Sequence, residues 1–349
     1  MMKKRIKTGG ALILAAVLAL SAFVIPKAFA ADGVDVDAEC KLTVDTRGTG
    51  FSELTTDSVI VNLYKVADIA VTGTYDSLLE GVTFSDINDG TTAADWEAKA
   101  ALVVENLGDM EITESAKTDG GVVTFNGLET GLYLVYAEEM LSAFNKYEFK
   151  PYLISLPNNY WNNTAKDSEI PESAKDADGN VTDEWIYDFA VSLKPTKTDR
   201  YGDLVIDKTL ASYNQSVGGA TFVFEVKAVK TDVDTNEETV VYNDVVSMTF
   251  DAAGSKQVTI KNIEAGAVVT VTEVYSGASY TLAEGSSKEV NTQIIAEDTV
   301  TAEFTNENDG GLNGGNGIVN TFTKDASGYT HNATDDSTGS VIIAKNIEE

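Results

Sequence analysis

The chain has 349 residues, with 55 Asp+Glu against 25 Lys+Arg and a formal net charge of -30. So acidic a surface repels nucleic acid and anionic lipid, which excludes both as partners. With 43% hydrophobic residues it is too apolar to be disordered; one cysteine and one histidine leave no parts for a disulfide framework, a His–Cys zinc site or a Ser-His-Asp triad.

The first thirty residues stand apart from the fold. Lys3, Lys4, Arg5 and Lys7 precede an apolar run from Gly10 to Pro26, and Ala28-Phe29-Ala30 follows before Ala31. A basic start, a short apolar stretch and small residues predict a secretory signal peptide cut between Ala30 and Ala31. A membrane anchor is the alternative, but the run is short for a spanning helix. The mature chain is expected to be secreted, to keep no membrane contact after signal removal, and to be long enough for two domains.

Alternating apolar and polar residues then predict strands at 41–44, 59–66, 121–125, 131–136, 152–156, 189–193, 204–208, 222–229, 268–274 and 300–306. Cys40 alternates with Leu42 and Val44, which marks it as a small core side chain. One helix is expected where Trp96, Ala100, Val103, Val104 and Leu107 recur at helical spacing, with Gly108 after them. Short strands parted by Gly, Asn, Asp and Ser turns predict an all-β protein of tandem immunoglobulin-like β-sandwiches, with one short helix in the first domain.

A polar stretch at 195–202 separates two strands, and a Gly/Asn-rich stretch at 306–317 reads as a linker or long loop. The expected organisation is a signal peptide at 1–30, one sandwich at 31–198, a second at 199–323 and a tail at 324–349. The tail carries a weak repeat: Thr338-Gly-Ser-Val-Ile-Ile-Ala-Lys345 matches Tyr201-Gly-Asp-Leu-Val-Ile-Asp-Lys208 in spacing and chemistry. It reads either as the opening strand of a further module or as a last strand of the second domain.

Three strands of the second domain each aim one polar group at an apolar face. Lys208 is in phase with Leu204 and Ile206, Glu273 with Val269 and Val271, and Asn306 with Ala302 and Phe304. Buried groups of this kind must meet or neutralise. Burial lowers a lysine pKa and raises a glutamate pKa, leaving a neutral amine, an amide electrophile and a carboxylic acid to shuttle protons. Their product would be a Lys208–Asn306 isopeptide bond formed inside the folded domain. The alternatives are a Lys208 that snorkels to solvent, an Asn306 that merely begins a turn, and Asn320 as the acceptor instead.

Leu-Val-Ile-Asp-Lys208 in a first strand, Val-Thr-Val-Thr-Glu273 in a middle strand and Glu-Phe-Thr-Asn306 in a last strand resemble the collagen-adhesin B-type (Cna-B-like) domain, over about 201–306. That resemblance implies repeat sandwiches of Gram-positive surface proteins, many of them carrying this cross-link. Asn62-Leu-Tyr-Lys-Val-Ala67, Phe125-Asn-Gly-Leu-Glu-Thr-Gly-Leu-Tyr-Leu-Val135 and Lys150-Pro-Tyr-Leu-Ile-Ser-Leu-Pro157 resemble the N-terminal domain of sortase-assembled pilins. Those pilins carry W-x-x-x-V-x-V-Y-P-K, whose lysine attacks the sortase-bound neighbour. Trp185-Ile-Tyr-Asp-Phe-Ala-Val-Ser-Leu-Lys194 keeps the spacing but replaces a valine, the tyrosine and the proline by Phe189, Ser192 and Leu193. The resemblance implies Lys194 as the polymerisation lysine, with Lys197 as the substitute, unless Lys194 is an ordinary strand-end lysine.

No internal cross-link is expected in the first domain, because no lysine is in phase with Leu42 and Val44. Asp232-Val-Asp-Thr-Asn236 and Asp176-Ala-Asp-Gly-Asn180 lack the spacing of an EF-hand and read as polar turns. No cofactor and no metal are expected, and no enzyme activity beyond the self-catalysed bond. The leading expectation is a pilus shaft subunit whose partners are other pilin subunits, joined by sortase. The alternative is a surface adhesin that binds host protein or glycan. Sortase substrates end in an L-P-x-T-G-like motif, an apolar segment and basic residues, none of which appear before Glu349; either the chain stops before the true C-terminus, the simpler expectation, or it is anchored by some other means.

Overall fold

The structure is a computed structural model, and it describes residues 33–88, 91–158, 175, 178–180, 182, 184–216, 218–277, 279–310 and, as backbone alone, 318–325 and 328–335. The signal segment with Ala30 and Ala31, the Gly/Asn-rich stretch at 311–317 and the 338–345 repeat lie outside the described residues. The chain forms two compact units: Met1–Met140 with Tyr147–Lys197, and Leu141–Lys146 with Thr198–Glu349.

In chain order the elements are β1 (Cys40–Asp45), α1 (Glu53–Thr56), β2 (Ile60–Ile69), β3 (Tyr75–Ser77), α2 (Ala93–Asn106), β4 (Glu114–Lys117), β5 (Val122–Leu128), β6 (Gly131–Ala137), β7 (Met140–Leu141), β8 (Asn145–Phe149), β9 (Tyr152–Leu156), β10 (Asp188–Val191) and β11 (Pro195–Asp199). There follow β12 (Tyr201–Leu210), β13 (Ala220–Thr231), β14 (Glu238–Phe250), β15 (Gly254–Glu264), β16 (Val268–Tyr275), β17 (Tyr280–Leu282), β18 (Glu289–Gln293), β19 (Thr299–Asn308), β20 (Ile318–Asp325) and β21 (Gly328–Asp335). The fold is all-β, as the alternation predicts. The single-turn α1 adds to the one expected helix, and 195–199 is itself extended as β11 rather than a plain polar connection.

In the first unit, β1 lies between β10, to which it is parallel, and β5, to which it is antiparallel. Its inward residues Cys40, Leu42 and Val44 share a core with Val61, Leu63, Tyr133, Val135, Ile154 and Phe189. Burial pushes the Cys40 thiol up to about 12, so it behaves as an apolar side chain. The opposing sheet runs β3-β2-β6-β9, with β4 also on β2. β6 and β9 are buried at nearly every position, because α2 covers the outer face: its Trp96, Ala100 and Val103 pack on Leu132, Leu134 and Leu153. Strands sandwiched on both faces read as continuous apolar runs rather than alternating ones. The helix opens on a capping box, in which Thr92 and Asp95 each accept from the other's backbone N–H.

The second unit is a sandwich of two four-stranded sheets, β15-β12-β19-β17 and β14-β13-β16-β18. Leu204, Ile206, Ala302 and Phe304 of one sheet meet Phe222, Phe224, Val226, Val269 and Val271 of the other in a single core. Phe224 and Phe304 pack with ring centroids 4.9 Å apart. Near the start of β12, Gly202 runs so close to 294–298 that an added Cβ would stand 2.0 Å from the Ile295 carbonyl oxygen. The segment 141–146 packs with this unit. The Arg200 guanidinium donates to the Ser142 carbonyl, and the Phe144 ring lies against Gly266, whose φ of +84° and lack of a Cβ make room for it. β20 and β21 form a separate hairpin.

The topology places the first and last strands of the sandwich side by side. β12 and β19 run parallel, with Lys208 opposite Phe304 and Leu210 opposite Asn306. β16 lies in the facing sheet. These three strands set the site.

Candidate functional site

Each of the three strands alternates cleanly, with burial falling on every second residue of β12, β16 and β19. The alternation carries Lys208, Glu273 and Asn306 inward, at 0%, 3% and 0% exposure. Lys208 therefore does not snorkel, and Asn306 does not begin a turn, since it lies within β19.

The three side chains close a ring of hydrogen bonds. The Lys208 Nζ donates to Glu273 Oε2 at 2.7 Å and also to Asn306 Oδ1. The Asn306 Nδ2 donates to Glu273 Oε1 at 2.7 Å. Glu273 thus offers one oxygen to the amine and the other to the amide nitrogen. The Phe222 ring stands 4.3 Å from Nζ and the Phe224 ring 5.9 Å, so the amine is walled by aromatic carbon as well as by its partners. Burial draws the Lys208 amine below the ordinary lysine range, against the hydrogen bond and charge of Glu273. The set holds an amine nucleophile, an amide carbon and an acid–base group in contact, with no water needed to connect them.

Among the described residues, the amide against Lys208 is that of Asn306. Asn320 falls in β20, opposite Ala333 of β21, and its side chain lies outside the described residues. In the first unit Glu138 is exposed, and its Oε1 accepts from the buried Asn62 at 3.1 Å.

Lys194 lies in the first unit, between β10 and β11, half-buried. Its Nζ stands 5.5 Å over the Tyr152 ring, and its carbonyl accepts from the Lys150 N–H at 3.0 Å. Lys150 in turn pairs with Glu97 at 2.6 Å. Burial holds the Lys194 amine below the ordinary lysine range, opposed by Glu97 and reinforced by Lys150. Lys197 lies in β11, its Nζ 5.7 Å over the Phe51 ring. Sequence reasoning did not assign Phe222 or Phe224 to the Lys208 site, although Phe222-Val-Phe224 on an expected strand aims both rings inward. It gave no signal for Glu97 or Lys150 beside Lys194.

Of the other acidic stretches, 232–236 forms a turn. Asp232 Oδ1 accepts from the N–H groups of Asp234 and Thr235, at 3.0 and 2.9 Å, in the hairpin turn between β13 and β14. Part of 176–180 lies outside the described residues. Among the described residues no group of three His, Cys, Asp or Glu side chains is placed to hold a metal.

A family model described as "Domain of unknown function (DUF5979)" matches residues 204–309, the span that holds the trio. No curated protein matches the sequence. Among solved structures, the chain is similar to the shaft pilin SpaA of Lactobacillus rhamnosus GG, at 15% identity over 79% of this chain and 99% of that one, with a TM-score of 0.24. It is similar to GBS52, the minor pilin of Streptococcus agalactiae, at 14% identity over 78% and 98%, with a TM-score of 0.20. A third is the major pilin SpaD of Corynebacterium diphtheriae, at 12% identity over 80% and 99%, with a TM-score of 0.25.

Proposed function

We propose that this chain is a structural cell-surface protein, a pilus shaft subunit, whose second unit is locked by an intramolecular isopeptide bond between Lys208 and Asn306. The observation that carries the reading is the closed, buried ring of Lys208, Glu273 and Asn306 across the first, middle and last strands of one sandwich. A buried ion pair costs more in desolvation than it returns unless it is fully satisfied, and this one serves no visible packing need that three apolar residues would not meet better. It does meet the needs of a reaction.

In the reactive form Nζ is neutral, which burial of Lys208 favours, and its proton has passed to Glu273. The neutral Nζ attacks Cγ of Asn306, and the protonated carboxyl steadies the amide. Glu273 takes a proton from Nζ and returns one to Nδ2; the Cγ–Nδ2 bond breaks and ammonia leaves. Lysine amine plus asparagine amide give a secondary amide plus ammonia, with no redox change and no added reagent. The fold holds the reacting groups in contact, so proximity supplies much of the rate.

In this reading the mature chain is exported, loses its signal between Ala30 and Ala31, and is joined by sortase to further pilin subunits through Lys194, with Lys197 as the substitute. The same reading divides the mature chain into one domain at 31–198 and another at 199–323. Incubating the mature chain with a pilin-class sortase and a subunit bearing a sorting signal tests the assembly role. A covalent ladder that Lys194→Ala abolishes and Lys197→Ala preserves supports it. A ladder indifferent to both changes, or none with a partner known to be competent, removes it.

A further inference from the structure

The second sandwich has one long sheet edge that lacks the usual guards. Its sheets end on β15 and β17 in one layer and on β14 and β18 in the other. A sheet edge is a row of unpaired N–H and C=O groups, which proteins protect by shortness, lysine or proline. β17 has 3 residues and β18 has 5, and β15 carries Lys256 and Lys261. β14 has 13 residues with no lysine, arginine or proline; Glu238 and Asp244 are its only charges. The flank beside it is open as well. Tyr242 and Val246 stand opposite the buried Ala228 and Phe224 of β13, yet both are only half-buried where they pack on the core. Asp244, opposite the buried Val226, is exposed.

A second edge lies next to this one. β20 and β21 form a two-stranded sheet of their own, and β21 lies against β14. All 8 residues of β21 are in register with β20, so its other edge is turned away from that partner. β21 likewise has no lysine, arginine or proline. Two unguarded edges side by side are the arrangement from which strand addition proceeds, through main-chain hydrogen bonds. We propose that β21 closes the β14 edge, so that the hairpin extends its sheet to the order β20-β21-β14-β13-β16-β18. The pairing satisfies edge-facing backbone groups of β14 and covers the flank at Tyr242 and Val246. The strand comes from the same chain. Residues 309–317 can reach roughly 30 Å at full extension. That exceeds the gap of about 10 Å between packed sheets plus two strand spacings of about 4.8 Å.

Residue-resolved backbone hydrogen exchange on the full mature chain tests this. In an antiparallel strand successive residues direct their N–H groups to opposite sides, so one alternating set in β14 bonds β13 and the other faces the edge. The expected result is slow exchange of both sets in the middle of β14, independent of protein concentration. Proline removes an N–H and does not fit a paired strand. Thr330→Pro and His331→Pro therefore break β21 at one residue of each alternating set. Each should cost the edge-facing amides of β14 their protection, while the set bonded to β13 and the amides of β16 keep theirs and report an intact sandwich. Edge-facing amides that exchange freely in the wild type would overturn the proposal. So would protection that survives both proline variants, which would assign the edge to another segment. Protection that fades on dilution would give the edge to a second copy of the chain and overturn the assignment to β21 of the same chain.

Discussion

Lys208 and Asn306 stand 98 residues apart in sequence, yet parallel pairing of β12 and β19 sets Lys208 opposite Phe304, two positions short of Asn306. A diagonal neighbour on the same face of a sheet is within reach of a long side chain. A bond between them would tie the first strand of the sandwich to the last, so tension on the unit would pass through covalent links rather than a peeling ladder of hydrogen bonds. With only one cysteine in the chain, no disulfide can supply that tie.

Preventing the bond should cost much of the unit's stability. In the loop-entropy model a tie across a loop of this length is worth roughly 4–5 kcal/mol. At several degrees per kcal/mol for a domain of this size, that predicts a melting transition lowered by about 20 °C in Asn306→Ala. Differential scanning calorimetry checks it, and a shift of only a degree or two would mean that no tie is lost.

Glu273→Gln should keep the shape of the site but not its chemistry. The amide keeps the volume and one acceptor oxygen, so it can hold only one of Lys208 and Asn306 as Glu273 does, and it cannot take and return a proton. The expected product is a folded protein, normal by circular dichroism, whose Lys208 side chain remains free in peptide mapping. A fully linked Glu273→Gln would show that the carboxyl is not needed.

The uncross-linked site should titrate with a definite sign. In Asn306→Ala, Lys208 stays buried beside Glu273, and its folded pKa lies below the 10.5 of an ordinary lysine. Between the two values the unfolded chain binds a proton that the folded chain does not, so stability rises with pH across that window. Buried tyrosines such as Tyr75 and Tyr152, whose pKa values burial raises, pull the other way in alkali. Comparing Asn306→Ala with Lys208→Met/Asn306→Ala by urea unfolding from pH 7 to 10.5 cancels them. The difference should favour the single variant increasingly as pH climbs, and a flat difference would contradict it.

In the first unit, Thr92→Ala should cost about 1 kcal/mol by removing the cap of α2. The Thr92 Oγ1 accepts from the Asp95 N–H at 3.3 Å, and the reciprocal bond from the Thr92 N–H to Asp95 Oδ2 is 2.8 Å. Because α2 covers Leu132, Leu134 and Leu153, the loss should appear as a lower urea midpoint with an unchanged slope.

The trio was legible because a period of two is rigid: once Leu204 and Ile206 face the core, Lys208 must as well. The same rule read β12, β16 and β19 to within a few residues. It did not read β14 and β15, a long hairpin with few fully buried positions, where packing writes little into the sequence. The parallel pairing of β1 with β10 and of β12 with β19 joins strands far apart in the chain, and no local pattern encodes it. The setting of Lys194 was illegible for the same reason, since Glu97 and Lys150 arrive from a helix and a connection with no shared motif. Nor does a linear division of domains reveal that Phe144 packs on Gly266.

The most direct test of the central claim is the intact mass of the folded, signal-free protein beside that of Lys208→Ala. The account predicts a wild type lighter than its sequence by one ammonia and a variant at its full calculated mass. Two proteins at full mass would contradict it, leaving Lys208, Glu273 and Asn306 as a buried hydrogen-bonded cluster and nothing more.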